Sequence, residues 1–299
     1  MIKAPVVIFA YNRLTHLKQA IEALQKNDFA DQSDLFIFSD GYKNNLESKK
    51  QVEEVRKYIK TVIGFKSLTI VEREKNYGLS KNIINGVSDI VNKFGKIIVL
   101  EDDLITSPYF LTYMNEALDL YENEEKVISI HGYIYPFKKN IILPETFFIK
   151  GADCWGWATW KRGWALFEKD GRKLLNEIVE KKAIKAFNFE NSENYLKMLK
   201  NQINGKNDSW AVRWYASAFI NSKLTLYPSK SLVFYNGSDN TGTNTKKSNF
   251  YDTELTYKKI QINNINIEVN INAYKCFISF FRKKNNIFIK YFDYLKNIL

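Results

Sequence analysis

Three acids stand in a row at Glu101, Asp102 and Asp103, directly after the apolar run KIIVL over 96–100. Adjacent carboxylates repel unless something neutralises them. The obvious neutraliser is a divalent cation, a hard ion that prefers carboxylate oxygens. A site with one or two carboxylate ligands leaves open positions for the phosphates of a nucleotide. The plainer alternative is a solvated acidic loop at a strand end. Two more polar residues follow apolar runs in the same manner. Arg13, suited to phosphate or a base, comes after APVVIFA (4–10), and Asp40, suited to accept from a base N–H, comes after LFIFS (35–39). Taken singly, each also reads as a surface salt bridge or a strand-end cap.

The elements that must position these residues alternate. Strands are expected at 4–10, 35–39, 68–72 and 96–100. Helices with one apolar face are expected at 13–25, 47–63 and 78–92. Short, near-continuous apolar strands separated by helices predict an α/β fold with a mostly parallel central sheet covered on both faces. Such sheets bind ligands at the C-terminal strand ends, at a topological switch point. Arg13, Asp40 and the acidic triplet all fall at those ends. Further helices are expected at 108–121, 173–203 and 209–220, and strands at 127–130, 224–227 and 231–235.

No G-x-G-x-x-G follows the first strand, and no G-x-x-x-x-G-K-[ST] occurs anywhere. Dinucleotide-binding and P-loop enzymes are therefore disfavoured. Residues 151–167 are rich in tryptophan and glycine, and Trp155, Trp157 and Trp160 suit either sugar stacking or core packing. The loop 236–249 lacks apolar residues up to Phe250. It carries Lys246 and Lys247, which suit a lid over a diphosphate or a plain surface loop. Asp208 precedes an expected helix and suits either a general base or a helix N-cap, with Asp153 as its rival for the base.

The motifs in order are Phe9-Ala10-Tyr11-Asn12-Arg13, Phe38-Ser39-Asp40-Gly41, Asn76-Tyr77-Gly78-Leu79-Ser80 and Val99-Leu100-Glu101-Asp102-Asp103-Leu104. Ser107-Pro108-Tyr109-Phe110, Gly156-Trp157, Asp208-Ser209-Trp210 and Phe250-Tyr251-Asp252 follow. Together, over about residues 4–255, they resemble the nucleotide-sugar-dependent glycosyltransferases of the GT-A fold. They are similar to N-acetylglucosaminyltransferase I and to bacterial family-two-like sugar transferases. The triplet departs from a literal D-x-D, and the segment around His131-Gly132-Tyr133 does not match.

The resemblance implies a GT-A domain over 1–255, with a nucleotide-binding half (1–105) and an acceptor-binding half (106–255). A C-terminal helical extension (256–299) would follow. It implies Asp103 as ligand to Mn²⁺ or Mg²⁺, Asp102 on the ribose, Glu101 on the sugar or on a water beside the metal ligands, and Asp40 on the uracil edge. Arg13 would sit by the pyrophosphate and Asp208 would be the catalytic base. The implied reaction is inverting, metal-dependent transfer from a nucleotide-diphosphate sugar, UDP-linked, to a glycan or lipid-linked oligosaccharide. The alternatives are a sugar-phosphate nucleotidyltransferase and a non-enzymatic basic protein binding membrane or nucleic acid. The residues form no recognised nucleic-acid motif.

The 299 residues carry a formal net charge of +11, with 45% hydrophobic and 26% charged residues, an ordinary globular mix. The excess is uneven. Residues 273–299 hold Lys275, Arg282, Lys283, Lys284, Lys290 and Lys296 against one acid, Asp293. Interleaved with them are Phe277, Phe280, Phe281, Phe288 and Phe292. This tail suits an interfacial helix on an anionic membrane, a helix packed on the domain, or a dimer contact. Cys154 and Cys276 are too few for a disulfide framework. No signal peptide or membrane-spanning run is read, so a cytoplasmic location is expected, peripheral on the inner face of the plasma membrane.

Overall fold

The computed structural model describes residues 2–138, 141–239 and 249–286. Its elements are β1 (Val6–Ala10), α1 (Leu14–Gln25), β2 (Asp34–Ser39), α2 (Leu46–Ile59), β3 (Ser67–Glu72), α3 (Leu79–Phe94) and β4 (Lys96–Glu101). Then come β5 (Leu104–Thr106), α4 (Phe110–Leu120), β6 (Val127–His131), β7 (Thr146–Lys150), β8 (Trp157–Trp160) and α5 (Lys161–Trp164). The chain closes with α6 (Gly171–Glu180), α7 (Ile184–Phe187), α8 (Tyr195–Ile203), α9 (Trp210–Ile220), β9 (Leu224–Pro228), β10 (Val233–Tyr235) and α10 (Ile271–Asn285).

An 8-stranded sheet has the order β3-β2-β1-β4-β8-β6-β9-β7, with β8 and β7 antiparallel to their neighbours. The expected mostly parallel sheet is present. Its continuous apolar strands are split by the pleat. Val6, Ile8, Leu35, Ile37, Ile98 and Leu100 join one core cluster, with α1 and α4. Val7, Phe9, Phe36, Phe38, Ile97 and Val99 join the other, with α3 and a group of tryptophans. On α3, Gly86 lets the helix sit against the stacked rings of Phe9 and Phe38, because a Cβ there would lie 2.7 Å from the Phe9 ring.

The chain leaves β1 towards β2 and β3, then returns to β4 on the other side of β1. The crevice between β1 and β4 is thus the switch point. In-register pairing of Phe9 with Glu101 brings Arg13 and the triplet to the same edge. Separately, β5 pairs antiparallel with β10, Leu104 facing Tyr235, which draws residues 236–237 over Asp103.

Two expectations change here. The lysine-rich stretch 173–203 is three helices, because Lys182, Phe189, Glu190 and Asn191 take left-handed backbone conformations that end a helix. The strands over 104–106, 146–150 and 157–160 were not expected from periodicity.

The third change concerns the tail. Asn270 caps α10 through its side chain. Ala273, Phe277, Phe280 and Phe281 are buried in the main core, where all three phenylalanine rings pack on Tyr135. Lys284 pairs with the buried Glu193, and Asn285 donates to the Ser192 carbonyl at 2.7 Å. The phenylalanines expected to face a membrane therefore face the domain, as in the packed-helix alternative. Residues 287–299 lie outside the described residues. Among the described residues no helix is long and apolar enough to cross a membrane.

Phe277→Ala should lower unfolding free energy by about 3–5 kcal/mol in a urea titration, the cost of emptying a buried phenylalanine site. A loss below about 1 kcal/mol would mean that α10 is not part of the core.

Candidate active site

Arg13 leaves β1 as the residue before α1. Its Nη2 donates to Asp102 Oδ1 and, at 2.7 Å, to Asp103 Oδ2. All three side chains are largely shielded, at 16%, 7% and 11% exposure. Burial raises the Asp102 pKa, and the Arg13 charge works against that rise. Burial and the neighbouring Asp103 and Asp102 push the partly buried Glu101 up, which favours its protonated form. Burial alone would lower the Arg13 pKa, but its two carboxylates outweigh that and raise it. One guanidinium thus offsets part of the negative charge at the end of β4.

The segment after β10 covers this knot. The Asn236 N–H donates to the Asp103 carbonyl at 2.8 Å, and the Asn236 side chain reaches Gln19 on α1. A Cβ on Gly237 would meet Asp103 Oδ2 at 2.4 Å, so only glycine leaves that carboxylate oxygen its space. His16 lies 3.2 Å from Asp239. Among the described residues no three His, Cys, Asp or Glu gather into a metal cage. Asp103 beside an open glycine nonetheless fits a cation held by one or two carboxylates, with phosphates completing its shell. Lys246 and Lys247 lie outside the described residues.

Asp40 stands differently from expectation. Its Oδ1 accepts from the Gly41 and Tyr77 N–H groups, and its Oδ2 from the Gly78 N–H and the Asn76 side chain. A carboxylate has about four acceptor positions, so this one is filled from within. Asp40 ties the end of β2 to the loop that opens α3. Beside that tie lies an open cleft of about 430 Å³ lined by Tyr42, Lys43, Asn44, Glu74, Lys75 and Asn76.

Trp155 lies near Glu101, because β8 runs antiparallel to β4 with Trp157 opposite Val99. The half-buried Trp155 stacks on Tyr235 at 4.4 Å and 8°, and meets Tyr133 and Tyr251 edge-on. Trp157 cannot wall a sugar site. It is fully buried among Trp164, Trp210 and Trp214. Trp160 is likewise core.

The two candidate bases are placed apart. Asp208 is 69% exposed, 3.4 Å from Arg213, and it is not the N-cap, since Ser209 accepts from Val212 N–H. Arg213 also donates to Ser80 Oγ at 2.6 Å, which docks the start of α9 on the start of α3. Asp153 turns into a tyrosine-lined interior. It accepts from Tyr135 at 2.8 Å and Tyr227 at 3.3 Å, with His131 3.7 Å away.

The sequence model of the GNT-I family matches residues 1–155, more than half of the chain. The chain belongs to the GNT-I family. It has the α/β arrangement with a mostly parallel central sheet that its strand–helix alternation predicted. The GNT-I match spans β1 to Trp155, so it contains Arg13, Asp40, the triplet and Asp153 but not Asp208. No curated protein matches the chain. Among solved structures, the mannosyltransferase PcManGT from Pyrobaculum calidifontis, in complex with GDP-Man and Mn²⁺, is 12% identical with a TM-score of 0.32. It is matched over 44% of this chain and 36% of its own. S. aureus TarS 1–349 is 11% identical with a TM-score of 0.43, over 78% of this chain and 60% of its own. The same TarS fragment with UDP-GlcNAc is 11% identical with a TM-score of 0.40, over 77% and 57%. The chain thus spans less than two thirds of the length of each.

Sequence reasoning missed Tyr235, Gly237 and Arg213 in this GNT-I family member. The short apolar VFY run before Asn236-Gly237 was the available signal for the first two. It also missed the Asp153 surroundings. His131 there is fully buried with neither ring nitrogen hydrogen-bonded, and burial lowers its pKa to about 4, against a raising effect of Asp153. In the unfolded chain His131 takes up a proton below about pH 6.5, but in the folded protein only near pH 4. Protons therefore favour unfolding in that window, and stability falls as pH drops through it. Wild type should lose on the order of 3 kcal/mol more than His131→Leu between pH 7 and pH 4. Urea titrations across that range check this, and parallel pH profiles would contradict it.

Proposed function

We propose that the chain is a glycosyltransferase that moves a sugar from a nucleotide-diphosphate donor, UDP-linked, to a glycan or lipid-linked oligosaccharide with inversion. The observation that supports this most is the convergence of Arg13 with Asp102 and Asp103 at the β1–β4 switch point. A buried cation and paired carboxylates there suit a ligand that is itself an anion with a metal. In this reading Asp103 would hold Mn²⁺ or Mg²⁺, and the ion would offset negative charge developing on the diphosphate leaving group.

The chain's own residues carry the other roles. Arg13 binds the pyrophosphate with its planar fork of donors. Asp102 accepts from the ribose. Glu101, held towards its protonated form, hydrogen-bonds the sugar. Asp40 acts at one remove: it shapes the 76–78 loop beside the cleft that takes the base, rather than reading the base itself. Trp155, stacked on Tyr235, offers an aromatic edge to the sugar or acceptor.

Asp208 is the candidate base. Inversion by single displacement needs a carboxylate that takes the acceptor proton on the face opposite the leaving group. Asp208 is 69% exposed and so reachable by an acceptor. Asp153 already accepts from two tyrosines. The membrane reading keeps only residues 287–299 as its basis.

A donor panel with Mn²⁺, read as sugar transfer or donor hydrolysis, tests the reading. Asp103→Asn should abolish both metal-dependent donor binding and turnover. Asp208→Asn should leave donor binding unchanged while cutting turnover by about 10²-fold or more, the contribution of a general base. Full turnover in Asp208→Asn would move the base elsewhere.

A further inference from the structure

Arg13 Nη2 is shared between two carboxylates, while Nη1 of the same guanidinium is buried without a hydrogen-bond partner. The neighbours of Asp103 are fixed. Its carbonyl is held by the Asn236 N–H, and its side chain is only 11% exposed. Asp102 is 7% exposed. The acids therefore have little room to rearrange, whereas Arg13 has a long side chain and unused donors.

Resting on the donor-binding reading above, we propose that Arg13 is an exchangeable counter-ion. Without ligand it occupies the charge position that a divalent cation takes on Asp103, and the donor's diphosphate draws it off that carboxylate.

The physical argument is one of competition. A guanidinium and a divalent cation cannot both sit on the same Asp103 oxygen without strong repulsion. Arg13 on Asp103 thus lowers metal affinity in the protein alone. A diphosphate offers the guanidinium an equivalent bidentate anion, so moving there costs little. Once Arg13 has moved, Asp103 is open to the metal. Metal and diphosphate then bind with positive coupling, and by linkage each strengthens the other equally. Arg13 is the bistable part that adds to the coupling the phosphates supply by completing the ion's shell. A fixed Arg13 that acted only through its charge would weaken metal binding with and without nucleotide alike.

Mn²⁺ binding, followed by the electron paramagnetic resonance signal of the free ion, is measured with and without UDP. In the wild type UDP should tighten Mn²⁺ binding strongly. In Arg13→Met, Mn²⁺ alone should bind about tenfold more tightly than in wild type, while affinity in the presence of UDP changes little, so the coupling falls about tenfold. Arg13→Lys, which keeps a cation but reaches one carboxylate at a time, should fall between the two and guards against a misfolded Arg13→Met. An unchanged ratio of the two affinities in both variants would overturn the exchange. If Asp103→Asn abolishes Mn²⁺ binding while that ratio stays constant, the metal reading stands and only the exchange falls. If wild type retains no Mn²⁺ even with UDP, the donor-binding reading falls and the exchange with it.

Discussion

Three acids can end a buried strand only if a cation meets them, and in this fold that cation is Arg13. Moving a carboxylate out of water costs several kcal/mol, and pairing returns that cost only when geometry is good. The geometry here comes from the backbone. β1 and β4 are adjacent and parallel, with Phe9 opposite Glu101, so the residues just past both strand ends must meet. Everything that shapes the pocket is arranged around this meeting. The β5–β10 ladder lays Gly237 on Asp103, and Asn236 ties that segment to α1. Asp40 fixes the neighbouring strand end to the loop that starts α3.

A second layer supports the first through aromatic packing. Trp155 stacks on Tyr235 and meets Tyr133 and Tyr251 edge-on, and the Tyr133 hydroxyl donates to the Tyr251 carbonyl at 2.7 Å. Tyr251 and Tyr135 pack in turn on Phe280 of α10. The C-terminal helix thus braces the wall beside the triplet. This gives the basic, aromatic-rich end of the chain a structural use through residue 286. The local acidity at the site and the +11 net charge belong to different parts of the molecule.

The N-terminal sheet elements were legible because their signals are local. Uninterrupted apolar runs read as doubly covered strands, and alternation with helices implies the parallel order that brings Arg13 and the triplet together. What was not legible depends on long-range partners. Nothing near Asp40 in the chain reveals that Tyr77 and Gly78 will fill its oxygens. Trp155 and Trp157 are two residues apart, yet only Trp157 lies in β8, and the left-handed Gly156 between them lets Trp157 enter a tryptophan core while Trp155 stacks on Tyr235. The tail carries the composition of a membrane helix, and composition cannot tell lipid from a protein groove lined by Tyr135 and Phe189. The GNT-I family match ends at residue 155. The motifs beyond it, Asp208 among them, are looser.

The claim that Arg13 permits the acidic triplet is tested most directly by a double-mutant cycle of Arg13→Met and Asp102→Asn. It is measured by urea unfolding at neutral pH without metal or nucleotide. Arg13→Met alone leaves buried carboxylates uncompensated, and the second change relieves that. The two losses should therefore be non-additive, with a coupling of about 2 kcal/mol. Losses that add to within about 0.5 kcal/mol would contradict the account.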